Sequence, residues 1–249
     1  MNIVLLHGFC EDRSIWNALI PHVKNNAELL TLDLPGFGSQ NEQFLHGNSI
    51  EAMADFIKVA LEKRNINACV LIGHSLGGYV TLAFARKYPH LLHGMGLFHS
   101  TAFADSQERK AARLKTIDFI KTNGATTYHR ALIPSLFQTN ASPTLVEETI
   151  AAAKSAKAEG IIAALSAMRN RNDSLDVLQN WNKPILFIAG KYDAVITKES
   201  IFEQAVLCNT AMLEVLENSA HMGMVEEPQQ SALFVNRFIA LCKSQTANA

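Results

Sequence analysis

Six short apolar runs recur along the chain, at residues 3–6, 29–32, 69–72, 95–98, 185–189 and 212–216, and helix-length segments separate most of them. A strand that is apolar at nearly every position must be covered on both faces, as in a parallel sheet flanked by helices. Helical spacing is present at about residues 14–26, 49–64, 76–88, 197–207 and 229–242, with Pro228 at the favoured first turn of the last segment. The expectation is an α/β fold with a mostly parallel sheet of about six strands. One interval breaks the alternation. Residues 101–181 hold no strand pattern but several helical ones, including an alanine-rich run over 149–168. An all-helical insertion between two strands is expected to lie over one end of the sheet. With no repeat and no low-complexity linker, the division is a core of residues 1–100 and 182–249 carrying an insertion of residues 101–181.

Composition limits the possible partners. Of the 249 residues, 48% are hydrophobic and 18% charged, and the formal net charge is −1. No Lys/Arg cluster supplies the field that gathers on a phosphate backbone or an anionic membrane. No stretch reaches the roughly 18–20 apolar residues of a membrane span. The apolar run near Met1 is short and lacks a preceding basic segment, so it does not read as a signal peptide. Cys10, Cys69, Cys208 and Cys242 are scattered without metal-ligand spacing, and Cys69 lies in an apolar run that suits a buried thiol. The expectation is a cytoplasmic protein with reduced cysteines and no metal or organic cofactor. Its partner is a small molecule, with no nucleic acid or membrane involved.

The chemistry-bearing residues follow strand ends. Gly73-His74-Ser75-Leu76-Gly77-Gly78 joins the run at 69–72 directly to a helical stretch. A strand-to-helix turn with Ser at its apex is a nucleophile elbow, and the crowded turn explains the small flanking residues. The helix N-terminus beneath Ser75 favours developing negative charge. His7-Gly8-Phe9 follows the first run, in an early loop able to supply a backbone N–H to an oxyanion. Phe9 and Leu76 are the candidate oxyanion-hole donors, while His7 suits loop support. Asp33-Leu34-Pro35-Gly36-Phe37-Gly38-Ser39 reads as a tight turn in which Asp33 caps backbone N–H groups.

These motifs, in this order and spacing, resemble the α/β-hydrolase superfamily, in its branch of small serine esterases, lactonases and carbon–carbon hydrolases. The resemblance spans nearly the whole chain and is weakest over residues 101–181, which correspond to the family's variable helical cap. It implies the chain order nucleophile, acid, histidine. Gly190-Lys191-Tyr192-Asp193 and Asn218-Ser219-Ala220-His221-Met222 follow the last two apolar runs and match the family's acid turn and histidine loop. The implied catalytic residues are Ser75, Asp193 and His221. His99, Ser100 and Thr101 occupy a site where some relatives carry the acid, and His99 is a candidate pocket-lining residue. His22, His46, His90, His93 and His129 have no motif around them and are expected at the surface.

Ser at the elbow, where epoxide hydrolases and haloalkane dehalogenases carry Asp, argues against both activities. The chain begins on the strand before His7, so the family's leading antiparallel strand pair is expected to be absent. The implied activity is hydrolysis of a small carboxylic ester through an acyl-enzyme. The same residues serve hydrolases of lactones or carbon–carbon bonds, and a small-molecule receptor with little turnover can retain them. Within the insertion, Leu114, Ile117, Phe119, Ile120, Tyr128, Leu132, Leu136 and Phe137 are expected partly to bury and partly to form an apolar acyl pocket near Ser75.

Overall fold

The computed structural model describes residues 1–24, 28–42 and 49–247. Its strands are β1 (Asn2–Leu6), β2 (Glu28–Leu32), β3 (Cys69–His74), β4 (Leu92–Phe98), β5 (Ile185–Gly190) and β6 (Ala211–Leu216). They form one sheet in the order β2-β1-β3-β4-β5-β6, parallel throughout. The strand at Asn2–Leu6 is therefore internal and Glu28–Leu32 is an edge, with no antiparallel pair among the described residues. The helices, in chain order, are α1 (Ile50–Glu62), α2 (Leu76–Lys87), α3 (Gln107–Asn123), α4 (Ala125–Leu132), α5 (Pro143–Ala153), α6 (Ala158–Asn170), α7 (Leu175–Asn180), α8 (Lys198–Ala205), α9 (Gly223–Glu226) and α10 (Pro228–Ala247).

The two-residue period of a strand sends alternate side chains to opposite faces. Val4 and Leu6 of β1, Leu71 of β3 and Phe187 of β5 bury on one face with Ile57 of α1 and Phe84 of α2. Ile3 and Leu5, Val70 and Ile72, and Ile188 bury on the other with Trp16, Phe234 and Phe238. Both faces are thus covered, which is why the internal strands contain almost no polar residue.

Two local expectations fail. Residues 14–26 do not form an α-helix; the described part makes two 3₁₀ turns, Arg13–Trp16 and Ile20–His22. Pro21 stands between the apolar positions that suggested the helix, and its ring removes an N–H and blocks continuation from the preceding turn. The strand placed at 95–98 begins three residues earlier, at Leu92, beyond His93 and Gly94, which interrupt its apolar pattern. Between β4 and β5 the described chain is helical, α3 to α7. The alanine-rich run divides into α5 and α6, with the break at residues 154–157.

The strand order reverses between β1 and β3, which continue outward to opposite edges. Open α/β sheets present their sites at the carboxyl ends of strands where the order switches. Leu6 pairs with Gly73 there, so the loop after β1 and the turn after β3 emerge side by side.

Candidate active site

Ser75 sits between β3 and α2 with φ 48° and ψ −109°, outside the regions that side-chain-bearing residues favour. Such a conformation costs about 1–3 kcal/mol and persists only where its surroundings enforce it. Here Ser75 N–H donates to Phe98 O at 3.0 Å, and Ser75 O accepts from Gly78 N–H at 3.0 Å and Ser100 Oγ at 2.7 Å. The turn is too tight for side chains beside it: a Cβ on Gly73 would lie 2.1 Å from the Gly77 carbonyl. Ser75 Oγ itself makes no hydrogen bond among the described residues, and it lines a cavity of about 220 Å³.

His221 reaches the same cavity from the loop after β6. Its Nδ1–H donates to Asp193 Oδ2 at 2.8 Å, while Asp193 Oδ1 accepts the Val195 and Ile196 N–H groups at 2.8 and 2.9 Å. The backbone is held as firmly. His221 N–H donates to Leu136 O at 2.9 Å, and Glu226 Oε2 accepts from the flanking Ala220 and Met222 N–H groups at 2.9 and 3.2 Å. Nε2 alone is left for chemistry. Burial disfavours the imidazolium, but the Asp193 charge and hydrogen bond, helped by Glu11, hold the His221 pKa above its ordinary value. Burial likewise opposes the Asp193 carboxylate, and the two imidazoles around it outweigh that and keep its pKa well below the usual range.

The second imidazole belongs to His99. Expected to line the pocket, it is instead fully buried behind Asp193 and is not among the cavity's residues. Its own φ of 48° turns it under the β5 and β6 loops. There Nδ1–H donates to Asp193 Oδ2 at 3.1 Å and Nε2 accepts from Gly223 N–H at 3.2 Å. Burial pushes its pKa down to about 4, so this imidazole is neutral. These bonds also bear on a metal. Ligand atoms of His99, Asp193 and His221 lie within 4.8 Å of one another. A metal on His99 Nδ1 would require Nε2 to carry the proton, facing the Gly223 N–H, and that donor-to-donor contact does not fit a metal site.

Phe9 and Leu76, the candidate oxyanion donors, stand beside the cavity on the β1 loop and the first turn of α2. Neither backbone N–H has a hydrogen-bond acceptor among the described residues. His7 and Asp33 of the early loops are structural. His7 Nδ1–H donates to Gly8 O at 2.7 Å and Nε2 accepts from Leu34 N–H at 2.9 Å, joining the β1 and β2 loops. Asp33 accepts from the Arg13 and Ser39 N–H groups and from Ser39 Oγ, the loop-organising part expected of it.

Sequence reasoning missed a buried pair. Glu11 Oε2 accepts from Gly8 N–H at 2.7 Å and lies 2.9 Å from His74 Nδ1, while His74 Nε2 lies 2.9 Å from His221 O. His74 thus bridges the Glu11 carboxylate and the His221 carbonyl through its two ring nitrogens. Burial works against the Glu11 carboxylate, yet His74 and the Gly8 N–H hold its pKa below the ordinary value. The pair ties Gly8 of the β1 loop to the carbonyl of His221. Removing one partner of a buried pair costs about 3–5 kcal/mol. Glu11→Gln is therefore expected to lower unfolding free energy on that scale and to reduce kcat as well. A variant with wild-type denaturant midpoint and activity would show that the pair is idle.

The remaining histidines divide. His22 and His90 are exposed and His93 half-buried, whereas His46 lies outside the described residues. His129, expected at the surface, is buried, with neither ring nitrogen hydrogen-bonded among the described residues, and burial lowers its pKa. Tyr128 and Leu132 of the same helix line the cavity, whereas His129, about 100° round the helix from Tyr128, does not.

The sequence model of a protein family described as the alpha/beta hydrolase fold matches residues 2–228. A monoacylglycerol lipase of Rattus norvegicus is 25% identical, over 96% of this chain and 75% of its own length. A pimeloyl-[acyl-carrier protein] methyl ester esterase of Aeromonas hydrophila is 24% identical over 96% of this chain and 95% of its own. Among solved structures, a malate-bound thermophilic esterase of Thermogutta terrifontis superposes with a TM-score of 0.91 at 29% identity, covering 97% of this chain and 90% of that one. The chain belongs to the α/β-hydrolase family. It is a hydrolase. Among the described residues, no helix is long and apolar enough to cross a membrane, and all four cysteines are free.

Proposed function

We propose that the protein hydrolyses a small carboxylic ester by acyl-enzyme chemistry, with Ser75 as nucleophile, His221 as general base and Asp193 as its support. The observation that carries this reading is the strained Ser75 whose Oγ shares one cavity with an imidazole fixed through Nδ1 to a buried carboxylate. In this reading Ser75 Oγ attacks the ester carbonyl carbon as its proton passes to His221 Nε2. The oxyanion accepts from the Phe9 and Leu76 N–H groups, each such donor contributing about 10²–10³-fold. The alkoxide leaves with the His221 proton, and the cycle repeats with water in place of Ser75. Asp193 holds the tautomer and offsets the imidazolium charge. The helical residues 101–181 act as a cap, contributing Tyr128, Leu132, Leu136, Leu165 and Met168 to the cavity wall. Of the apolar cap residues singled out in the sequence, Leu114 and Phe119 face solvent at 45% and 40% exposure, while Ile117, Ile120 and Phe137 are buried away from the cavity. The three similar proteins named above all carry ester-cleaving names, which supports the ester reading.

The pH profile is a direct test. His221 works deprotonated, so kcat/KM rises with pH through its pKa. Because that pKa is raised from 6.5, the acid limb on a butyrate ester is expected above pH 6.5. An acid limb at or below pH 6 would remove His221 as the base.

A further inference from the structure

The inward face of α3 carries charge where an acyl pocket needs none. Arg109, Ala112, Arg113 and Thr116 recur at the spacing of one helix face, and all four line the cavity that holds Ser75 and His221. The arginines are fixed in place. Arg109 Nη2 donates to Val195 O at 2.9 Å, and Arg113 pairs with the buried Asp105. Their charge is not cancelled. Asp105 is shared with Arg171, whose Nη1 lies 2.8 Å from its Oδ1, so one carboxylate answers two guanidinium groups. No carboxylate pairs with Arg109 among the described residues. Among the described residues, the only acidic one lining the cavity is Glu11, and its Oε2 is already bonded to Gly8 and His74. Arg109 is also close enough to His221 for its charge to lower that imidazole's pKa.

The rest of the wall is largely apolar, including Phe9, Leu132, Leu136 and Met168. Excess positive charge against an apolar cavity is costly unless an anion completes it. Among the described residues, Arg109 has a protein acceptor for one of its five side-chain N–H donors, and a planar fork of this kind suits a carboxylate.

We propose that Arg109 and Arg113 form an anion subsite, and that the substrate is an ester carrying a free carboxylate, a mono-ester of a short dicarboxylic acid. The ester half of this assignment rests on the serine-hydrolase reading; the anion half rests on the arginines alone. The scissile carbonyl lies at Ser75, the methylene chain follows the apolar wall, and the far carboxylate meets α3.

Two measurements separate the halves. In the first, kcat/KM for monomethyl glutarate is compared with that for methyl valerate, its uncharged counterpart, by pH-stat titration. The wild type is expected to favour the anionic ester at least tenfold, less so at high salt. Charged hydrogen bonds of this kind correspond to about 10- to 100-fold in affinity. Arg109→Gln should therefore reduce the anionic-to-neutral ratio by about tenfold or more, mainly through KM, and Arg109→Lys should restore part of it. A merely structural arginine would lower both esters together and leave the ratio alone. In the second, glutarate itself is titrated calorimetrically into wild type and Arg109→Gln, which needs no turnover. Hydrolysis of both esters without charge preference, together with no glutarate binding, overturns the anion subsite and leaves the esterase standing. Arg109-dependent glutarate binding with neither ester turned over would uphold the subsite and count against the esterase.

Discussion

Replacing Ser75 with alanine is expected to abolish ester hydrolysis, by up to about 10⁶ in kcat as for other serine triads, while leaving the fold unchanged. The structure gives a reason for both halves. Ser75 Oγ forms no hydrogen bond among the described residues, so its removal breaks none. The backbone bonds that enforce the elbow, from Ser75 N–H to Phe98 O and from Ser100 Oγ to Ser75 O, do not involve the side chain. Thermal melting should stay within the range of a neutral substitution, about 0.5 kcal/mol either way. Activity within tenfold of wild type in such a variant would contradict the assignment of the nucleophile.

The second large effect is expected at Asp193. Asn in its place can impose the wrong His221 tautomer, which in the best-studied serine triad lowers kcat by about 10⁴. From the sequence alone this variant would be expected to melt normally. The structure predicts otherwise. Asp193 accepts four N–H groups, two imidazole and two backbone, and an Asn amide cannot accept all of them. Whichever way the amide turns, buried donors face donors, at about 1–3 kcal/mol for each group left unpaired. Loss of kcat and of stability should therefore appear together. Asp33→Asn serves as the contrast, because its carboxylate organises a loop away from His221 and its loss should cost stability with little kinetic effect. Near-full activity in Asp193→Asn would mean that the supporting acid lies elsewhere.

What the sequence made legible follows from locality. The internal strands could be read because a strand covered on both faces has no polar period to confuse. Ser75, Asp193 and His221 could be placed because each follows a strand end by a few residues. The missing parts depend on contacts between segments far apart in the chain. Glu11 and His74 stand 63 positions apart and meet only because β1 and β3 are neighbours across the order reversal. His99 occupies a promising position after β4, but its partners Asp193 and Gly223 stand 94 and 124 positions away. Arg109 and Arg113 belong to no motif in the sequence, and it is the packing of α3 that brings them to the cavity. Residues 14–26 show the opposite limit, where apolar spacing suggested a helix and a single proline, already visible at position 21, overrode it.

A fluorophosphonate should react covalently with Ser75 if it is the nucleophile, and mass spectrometry reads the adduct. His221 must take the Ser75 proton for the adduct to form, so labelling should follow the same acid limb as hydrolysis. A single adduct is expected, mapped to the peptide bearing Ser75, with matching loss of ester hydrolysis and no adduct in Ser75→Ala. An unlabelled protein that still cleaves esters, or an adduct on any other residue, would contradict Ser75 as the nucleophile.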